Sequence, residues 1–81
     1  MKNRSRTEII AEILEIANTD NGANKTRIMY NAFLSYTQLK QYLSLLLEND
    51  LVNYLKEEQT YRTTHKGKHF LHLYHQLSFQ K

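Results

Sequence analysis

Cysteine and proline are absent from this 81-residue chain, and glycine occurs only twice. Without cysteine, neither a disulfide framework nor a thiolate metal site can form. No apolar run approaches the roughly 20 residues that cross a bilayer, and the basic start "MKNRSR" leads into an amphipathic stretch rather than a signal peptide. We therefore expect a soluble, cytoplasmic protein that forms one domain over residues 1–81 and buries a modest core.

Acidic residues are also absent from two long segments. None of the eight Asp and Glu residues lies at positions 21–47, and none follows Glu58. The first segment contains Lys25, Arg27 and Lys40, and the second contains four basic residues and all four histidines. A surface that approaches a polyanion excludes acids. A net charge of +3 is nevertheless ordinary for a small domain, so charge alone leaves nucleic-acid binding open.

Capping signals predict three helices in the first fifty residues. Ser5 and Glu8 form a capping box that opens a helix over 6–17, and Gly22 is the expected left-handed stop. Asn24 caps a short helix over 25–32. A second capping box then opens a helix over 35–48, with Ser35 and Gln38 as its two members.

The hydrophobic period changes after residue 50. "LVNYL" and "TYRTT" are rich in β-branched and aromatic residues and flank "KEEQ", which predicts a hairpin pairing 51–55 with 60–63. Thr64 then caps a last helix, weakened slightly by Gly67. The predicted fold is mainly α with a small β-hairpin, a winged helix-turn-helix in the order helix, helix, helix, hairpin, helix.

The third predicted helix has an outer face without acids. Gln pairs with adenine and Lys reaches guanine in a major groove, while Ser and Thr serve bases or phosphates. The alternative is an ordinary solvated face. The candidate base-contacting residues are Tyr36, Thr37, Gln38, Lys40, Gln41 and Ser44.

Basic residues elsewhere are candidates for phosphate contacts. Lys25, Thr26 and Arg27 open the second helix, where DNA phosphates would lie, and Arg4 and Arg6 precede the first. Arg62 is the candidate on the wing, since Glu57 and Glu58 at its tip would repel a phosphate.

The last helix, within residues 64–81, carries a long apolar stripe. Its members recur at i, i+3, i+4 and i+7 and are Phe70, Leu73, Tyr74 and Leu77. We expect this stripe to form a homodimer interface, which would set two recognition helices against two half-sites. The alternative is that the helix folds back onto the first helix and completes the core.

The histidines of that helix are not expected to bind a metal. His65, His69 and His72 share one helical face, but no carboxylate or thiolate follows them in the sequence. The role of His75 is undefined. No phosphate-binding loop or nucleophile arrangement is present, so we expect neither catalysis nor a cofactor.

Three segments together resemble a known family. They are "RSRTEIIAEILEIA", "ANKTRIMYNAFLSYTQLKQYLSLLLENDLV" and "YRTTHKGKHFL", and they are similar to the small archaeal winged-helix DNA-binding proteins, which include predicted transcriptional regulators and the dimeric chromatin proteins of Sulfolobus. The resemblance implies a winged helix-turn-helix, double-stranded DNA as partner and a dimer formed through the C-terminal helix. By position it implies DNA contacts at Lys25, Thr26, Arg27, Tyr36, Thr37, Gln38 and Lys40.

This chain differs from the chromatin proteins in ending at Lys81, without their long coiled-coil helix, so a smaller dimer is expected. The principal hypothesis is a nucleoid-associated, sequence-specific transcriptional regulator with the helix at 35–48 in the major groove. The alternatives are an architectural protein with little sequence preference and a winged-helix module that binds another protein.

Overall fold

Four helices and one antiparallel hairpin are present in the computed structural model, which describes residues 4–79. In chain order they are α1 (Arg6–Ile16), α2 (Lys25–Asn31), α3 (Tyr36–Glu48), β1 (Val52–Leu55), β2 (Thr60–Thr63) and α4 (His65–Phe79). The predicted fold class is confirmed, and the boundaries of the first three helices and of both strands lie within a residue of those expected. The two ends of the predicted 1–81 domain, residues 1–3 and 80–81, lie outside the described residues.

The helix starts follow the capping residues that the sequence supplies. Ser5 Oγ accepts a hydrogen bond from the Glu8 backbone N–H at 3.0 Å, and the Glu8 carboxylate accepts one from the Ser5 N–H at 2.8 Å. Asn24 caps α2 by accepting from the Arg27 N–H at 2.8 Å. These bonds satisfy N–H groups that a helix start leaves without intrahelical partners.

Helices α2 and α3 both end in a Schellman motif, in which the first residue past the cap is left-handed. Phe33 has φ 55° after α2, and Asp50 has φ 59° after α3. The Leu34 N–H donates back to the Met29 carbonyl at 3.0 Å, and the Leu51 N–H donates to the Leu46 carbonyl at 2.9 Å. Neither left-handed residue is a glycine, so both helix ends carry backbone strain.

Gly22 is left-handed, with φ 73°, but it does not end α1 as the sequence predicted. The helix ends at Ile16 with Ala17 as its C-cap, and the backbone of Ala17 stays right-handed. Gly22 instead leads the chain into a β-bridge between Ala23 and Tyr61, with N–H···O distances of 2.9 and 2.8 Å. This isolated bridge ties the segment after α1 to strand β2 of the hairpin.

The core lies between α1, α2, α3 and the base of the hairpin. Its largest fully buried side chains come from all four elements and are Ile13, Leu14, Ile28, Leu39, Leu46 and Val52. Thr63 is buried among them, and its hydroxyl donates to the Leu14 carbonyl at 2.6 Å. Helix α4 packs on α1 and contributes the buried Leu71.

Candidate nucleic-acid interface

Helix α3 presents the predicted polar face to solvent. Leu39, Leu43 and Leu46 are buried on its inner side. All six candidate base-contacting side chains are exposed on the outer side: Tyr36, Thr37, Gln38, Lys40, Gln41 and Ser44. Lys40 Nζ lies 5.6 Å from the centre of the Tyr36 ring, a cation–π geometry that orients both side chains at the start of the helix.

The two glutamines of this face differ in how many side-chain hydrogen-bonding atoms they have free to contact a base. The Gln38 side-chain oxygen accepts from the Ser35 backbone N–H at 3.0 Å, while Ser35 Oγ accepts from the Gln38 N–H at 3.1 Å. A paired contact to adenine uses both the oxygen and the amide nitrogen of glutamine. Gln38 therefore has its acceptor engaged by the helix cap, and Gln41 is the better placed of the two for base recognition.

Arg6 joins this face from a different element. It is exposed in the first turn of α1 and lines a shallow groove with Lys40, Gln41 and Ser44, and the acid Glu48 at the end of α3 lines the same groove. A second small groove places it beside Gln38 and Gln41. The predicted role of Arg6 rested only on its position before a helix, whereas the fold brings its guanidinium to the outer face of α3.

The start of α2 is also exposed and free of acids. Lys25, Thr26 and Arg27 all have solvent-accessible side chains, and the first turn contains no Asp or Glu. Exposed Tyr30 lies one turn after Thr26 and Arg27. This arrangement is compatible with phosphate contacts by the three predicted residues.

Arg4 and Arg62 are occupied by contacts within the chain. Arg4 Nη1 forms an ion pair with Glu12, and Arg4 Nη2 donates to the Phe33 carbonyl at 3.3 Å. Arg62 Nη1 donates to the Asp20 carbonyl at 3.1 Å. The two grooves described above along α3 are both lined by Arg6, and neither is lined by Arg4 or Arg62.

The cleft beside Arg62 contains two residues that the sequence did not predict as phosphate contacts. His65 and Lys68 of α4 line it together with Asp20 and Asn53. These two residues lie near the wing because α4 starts close to the hairpin. The distance between the two elements cannot be predicted from a local sequence pattern. The tip of the wing, residues 56–59, is exposed and carries Glu57 and Glu58.

The predicted dimer stripe divides into two parts. Phe70 and Tyr74 are half-buried and pack against the core, with their rings stacked at 6.4 Å between centres. Leu73 and Leu77 are 46% and 70% exposed. Helix α4 thus folds back onto α1, which was the alternative to a dimer interface. It still leaves an apolar strip in solvent, which a dimer interface would need.

His75 has a partner that the sequence did not reveal. Its Nε2 lies 2.7 Å from a carboxylate oxygen of Glu15 on α1. Within residues 4–79, no group of three or more His, Cys, Asp or Glu side chains is arranged to hold a metal ion. No helix in the same part of the chain is long and apolar enough to cross a membrane.

Comparisons with known proteins agree with this architecture. A family model described as winged helix-turn-helix matches residues 3–80. A similar solved structure is the crystal structure of Sso10a-2, a DNA-binding protein from Sulfolobus solfataricus, with a TM-score of 0.77 and 28% sequence identity over 95% of this chain and 82% of that one. No curated protein matches the sequence. The match to the family over nearly the whole chain, on a fold with the expected helices and wing, shows that the chain belongs to the winged helix-turn-helix family.

Proposed function

We propose that this protein is a non-enzymatic, double-stranded DNA-binding protein that acts as a sequence-specific transcriptional regulator. The observation that carries the proposal is the exposed outer face of α3, which has no acid from Tyr36 to Leu47 and gains Arg6 from α1. The DNA-binding character of Sso10a-2, which shares the fold at 28% identity, supports the same assignment.

In this proposal α3 enters the major groove. Lys40 and Gln41 are the principal base contacts, because Lys reaches guanine and Gln41 has both the oxygen and the nitrogen of its side-chain amide available. Tyr36, Thr37 and Ser44 extend the contact along the helix. Gln38 primarily holds the start of the helix in place, and its amide nitrogen alone remains for a base or phosphate.

Phosphate contacts position the helix and carry no direct sequence information. Lys25, Thr26 and Arg27 hold one DNA strand from the start of α2, and Arg6 holds a phosphate beside α3. Arg4 contributes in this proposal only if DNA displaces its partner, the Glu12 carboxylate. Arg62 donates one hydrogen bond to the Asp20 carbonyl and keeps its other N–H donors for a phosphate.

A homodimer through α4 completes the proposal. Leu73 and Leu77 lie one turn apart and are exposed, and a twofold dimer would present two α3 helices to half-sites about one DNA turn apart. Selection from a random pool of duplexes separates the regulator from an architectural protein, since an enriched sequence is expected only for the regulator.

A salt titration with charge-reversal variants tests DNA binding. We expect a labelled random-sequence duplex, followed by fluorescence anisotropy, to bind more weakly as salt rises, because phosphate contacts release counterions. Arg27→Glu and Lys40→Glu should each weaken binding by roughly tenfold or more, and loss of a phosphate contact should lower the salt slope by about 1.

Lys56→Glu is the matched control, since it makes the same charge change at an exposed residue of the wing tip. Equal losses for all three variants would show a general charge effect and contradict the assigned surface. No binding of wild-type protein at low salt would refute the DNA function itself.

A further inference from the structure

A groove of about 660 Å³ lies between α1 and the end of α2. Ile16 and Phe33 supply apolar walls, and three carboxylates of α1 line it as well: Glu8, Glu12 and Glu15. Arg4, which pairs with Glu12, is the cation among its lining residues. The groove therefore carries net negative charge, which repels phosphate and separates it from the proposed DNA surface.

Phe33 is an unusual residue for the position it occupies. It has φ 55°, which is strained for a bulky side chain, and its residue is 81% exposed. Glycine would adopt this backbone without strain, and an exposed aromatic ring adds little burial to the core. Strain and exposure at the same residue indicate that the ring serves a contact made outside the isolated chain.

The chain itself contains a segment with complementary chemistry. Leu73 and Leu77 form an exposed apolar strip on α4, and His72 and Gln76 beside them are exposed. No acid follows Glu58 in the sequence. Imidazole and amide N–H groups donate to carboxylates, so this strip matches an apolar groove edged by glutamates.

The groove and the strip also lie next to each other. Glu15 lines the groove, and His75 of α4 lies 2.7 Å from its carboxylate. A twofold axis near this pair would place the α4 strip of each copy over the groove of the other. In such an isologous contact each copy contributes both its strip and its groove, so the assembly is complete with two subunits.

We propose that the Leu73–Leu77 strip of a second copy docks in the groove lined by Ile16 and Phe33, with the α1 carboxylates accepting hydrogen bonds from its His72 and Gln76 side chains. This rests on the homodimer of the proposed function and adds the surface that receives α4. Phe33 is the aromatic anchor of the interface, a role in which truncation usually weakens binding strongly.

Replacing Phe33 by glycine tests the anchor without damaging the fold. Phe33→Gly removes the ring and relieves the strained backbone, so the domain should stay folded. Sedimentation equilibrium is expected to show dimerisation weakened by roughly tenfold or more. Gln59→Gly is the matched control, because Gln59 is also left-handed, with φ 56°, but lies at the wing tip; its dimerisation should be unchanged.

Cross-linking distinguishes groove docking from direct pairing of two α4 helices. The chain has no natural cysteine, so Leu77→Cys and Asn31→Cys each place one thiol, on the strip and in the groove respectively. Mixing the two variants with a short bismaleimide should give the mixed cross-link. A dimer in which Leu77→Cys links only to itself, or in which Phe33→Gly changes nothing, would overturn groove docking and leave a homodimer through α4.

A wild-type chain that stays monomeric at every concentration would overturn both the groove docking and the homodimer. Binding of the groove to a different protein by that monomer would equally count against a second copy as occupant. The duplex titration is independent of these results. It can support DNA binding when the dimer is refuted, and it can refute DNA binding when the dimer is supported.

Discussion

Gly67 shows how a single missing side chain sets the distance between two elements. A Cβ atom at this position would lie 2.4 Å from the Leu51 carbonyl oxygen and 2.6 Å from Cγ2 of Thr63. The Gly67 N–H donates to Thr64 Oγ1, and the Thr64 hydroxyl donates to the Asp50 carbonyl at 2.6 Å. Glycine thus allows the first turn of α4 to lie directly against the start of the hairpin.

Gly67→Ala should destabilise the protein, although alanine is the better helix former by about 1 kcal/mol. The new methyl group meets backbone rather than a flexible side chain, and overpacking of this kind typically costs about 1–3 kcal/mol. Urea denaturation is expected to show a lower free energy of unfolding. His69→Ala at another exposed position of α4 is the control and should be neutral; a Gly67→Ala variant as stable as wild type would refute the close approach.

At the scale of elements, α3 is held at both ends by backbone-directed contacts. Its start is closed by the reciprocal bonds of Ser35 and Gln38, and its end by the left-handed Asp50 with its Schellman bonds. Both ends are exposed in this structure. The proposed recognition surface therefore sits on a helix whose length and entry angle are set locally, which keeps its outer face in a fixed orientation.

Ser35→Ala should weaken α3 because the Gln38 N–H loses its acceptor. We expect the free energy of unfolding to fall by about 1 kcal/mol, the usual value for an N-cap. Ser44→Ala is a closely matched control, since it removes the same hydroxyl from an exposed position inside the same helix. Thermal or urea unfolding should show no loss for this control, and a similar loss for both variants would contradict a capping role for Ser35.

At the scale of the whole molecule, α4 both completes the core and exposes an apolar strip. Leu71 is buried in the core, while Leu77, on a different face of the same helix, is 70% exposed. A chain of 81 residues buries a smaller share of its surface than a larger domain does. Association through the exposed strip would add burial, and mass action would couple folding to dimer formation.

Thermal unfolding should therefore depend on protein concentration. We expect Tm to rise as concentration is raised across the dimerisation range, because dimer formation stabilises only the folded chain. Leu77→Lys should abolish this rise, and its Tm should equal that of wild type at low concentration, since an exposed side chain adds little to the monomer core. Gln59→Lys adds the same charge at the exposed wing tip, away from the strip and the groove, and should keep the rise. A wild-type Tm independent of concentration in differential scanning calorimetry would contradict the dimer.

The sequence by itself determined the elements and their order. The capping boxes at Ser5 and Ser35 and the cap at Asn24 act between residues three apart, so a few neighbouring residues in the sequence are enough to predict them. The change from helical to β-branched pattern after residue 50 located the hairpin for the same reason. The acid-free outer face of α3 followed from helical periodicity alone.

Tertiary structure decided which of those residues meet. It paired Arg4 with Glu12 and placed His75 beside Glu15. Packing of α1 against its neighbours also brought Arg6 to the face of α3 and formed the groove at Phe33. These contacts join residues far apart in the chain, and their geometry depends on how several helices pack at once. Local pattern carries no distance information of that kind, because the same short sequence makes the same helix whatever neighbour it finally packs against.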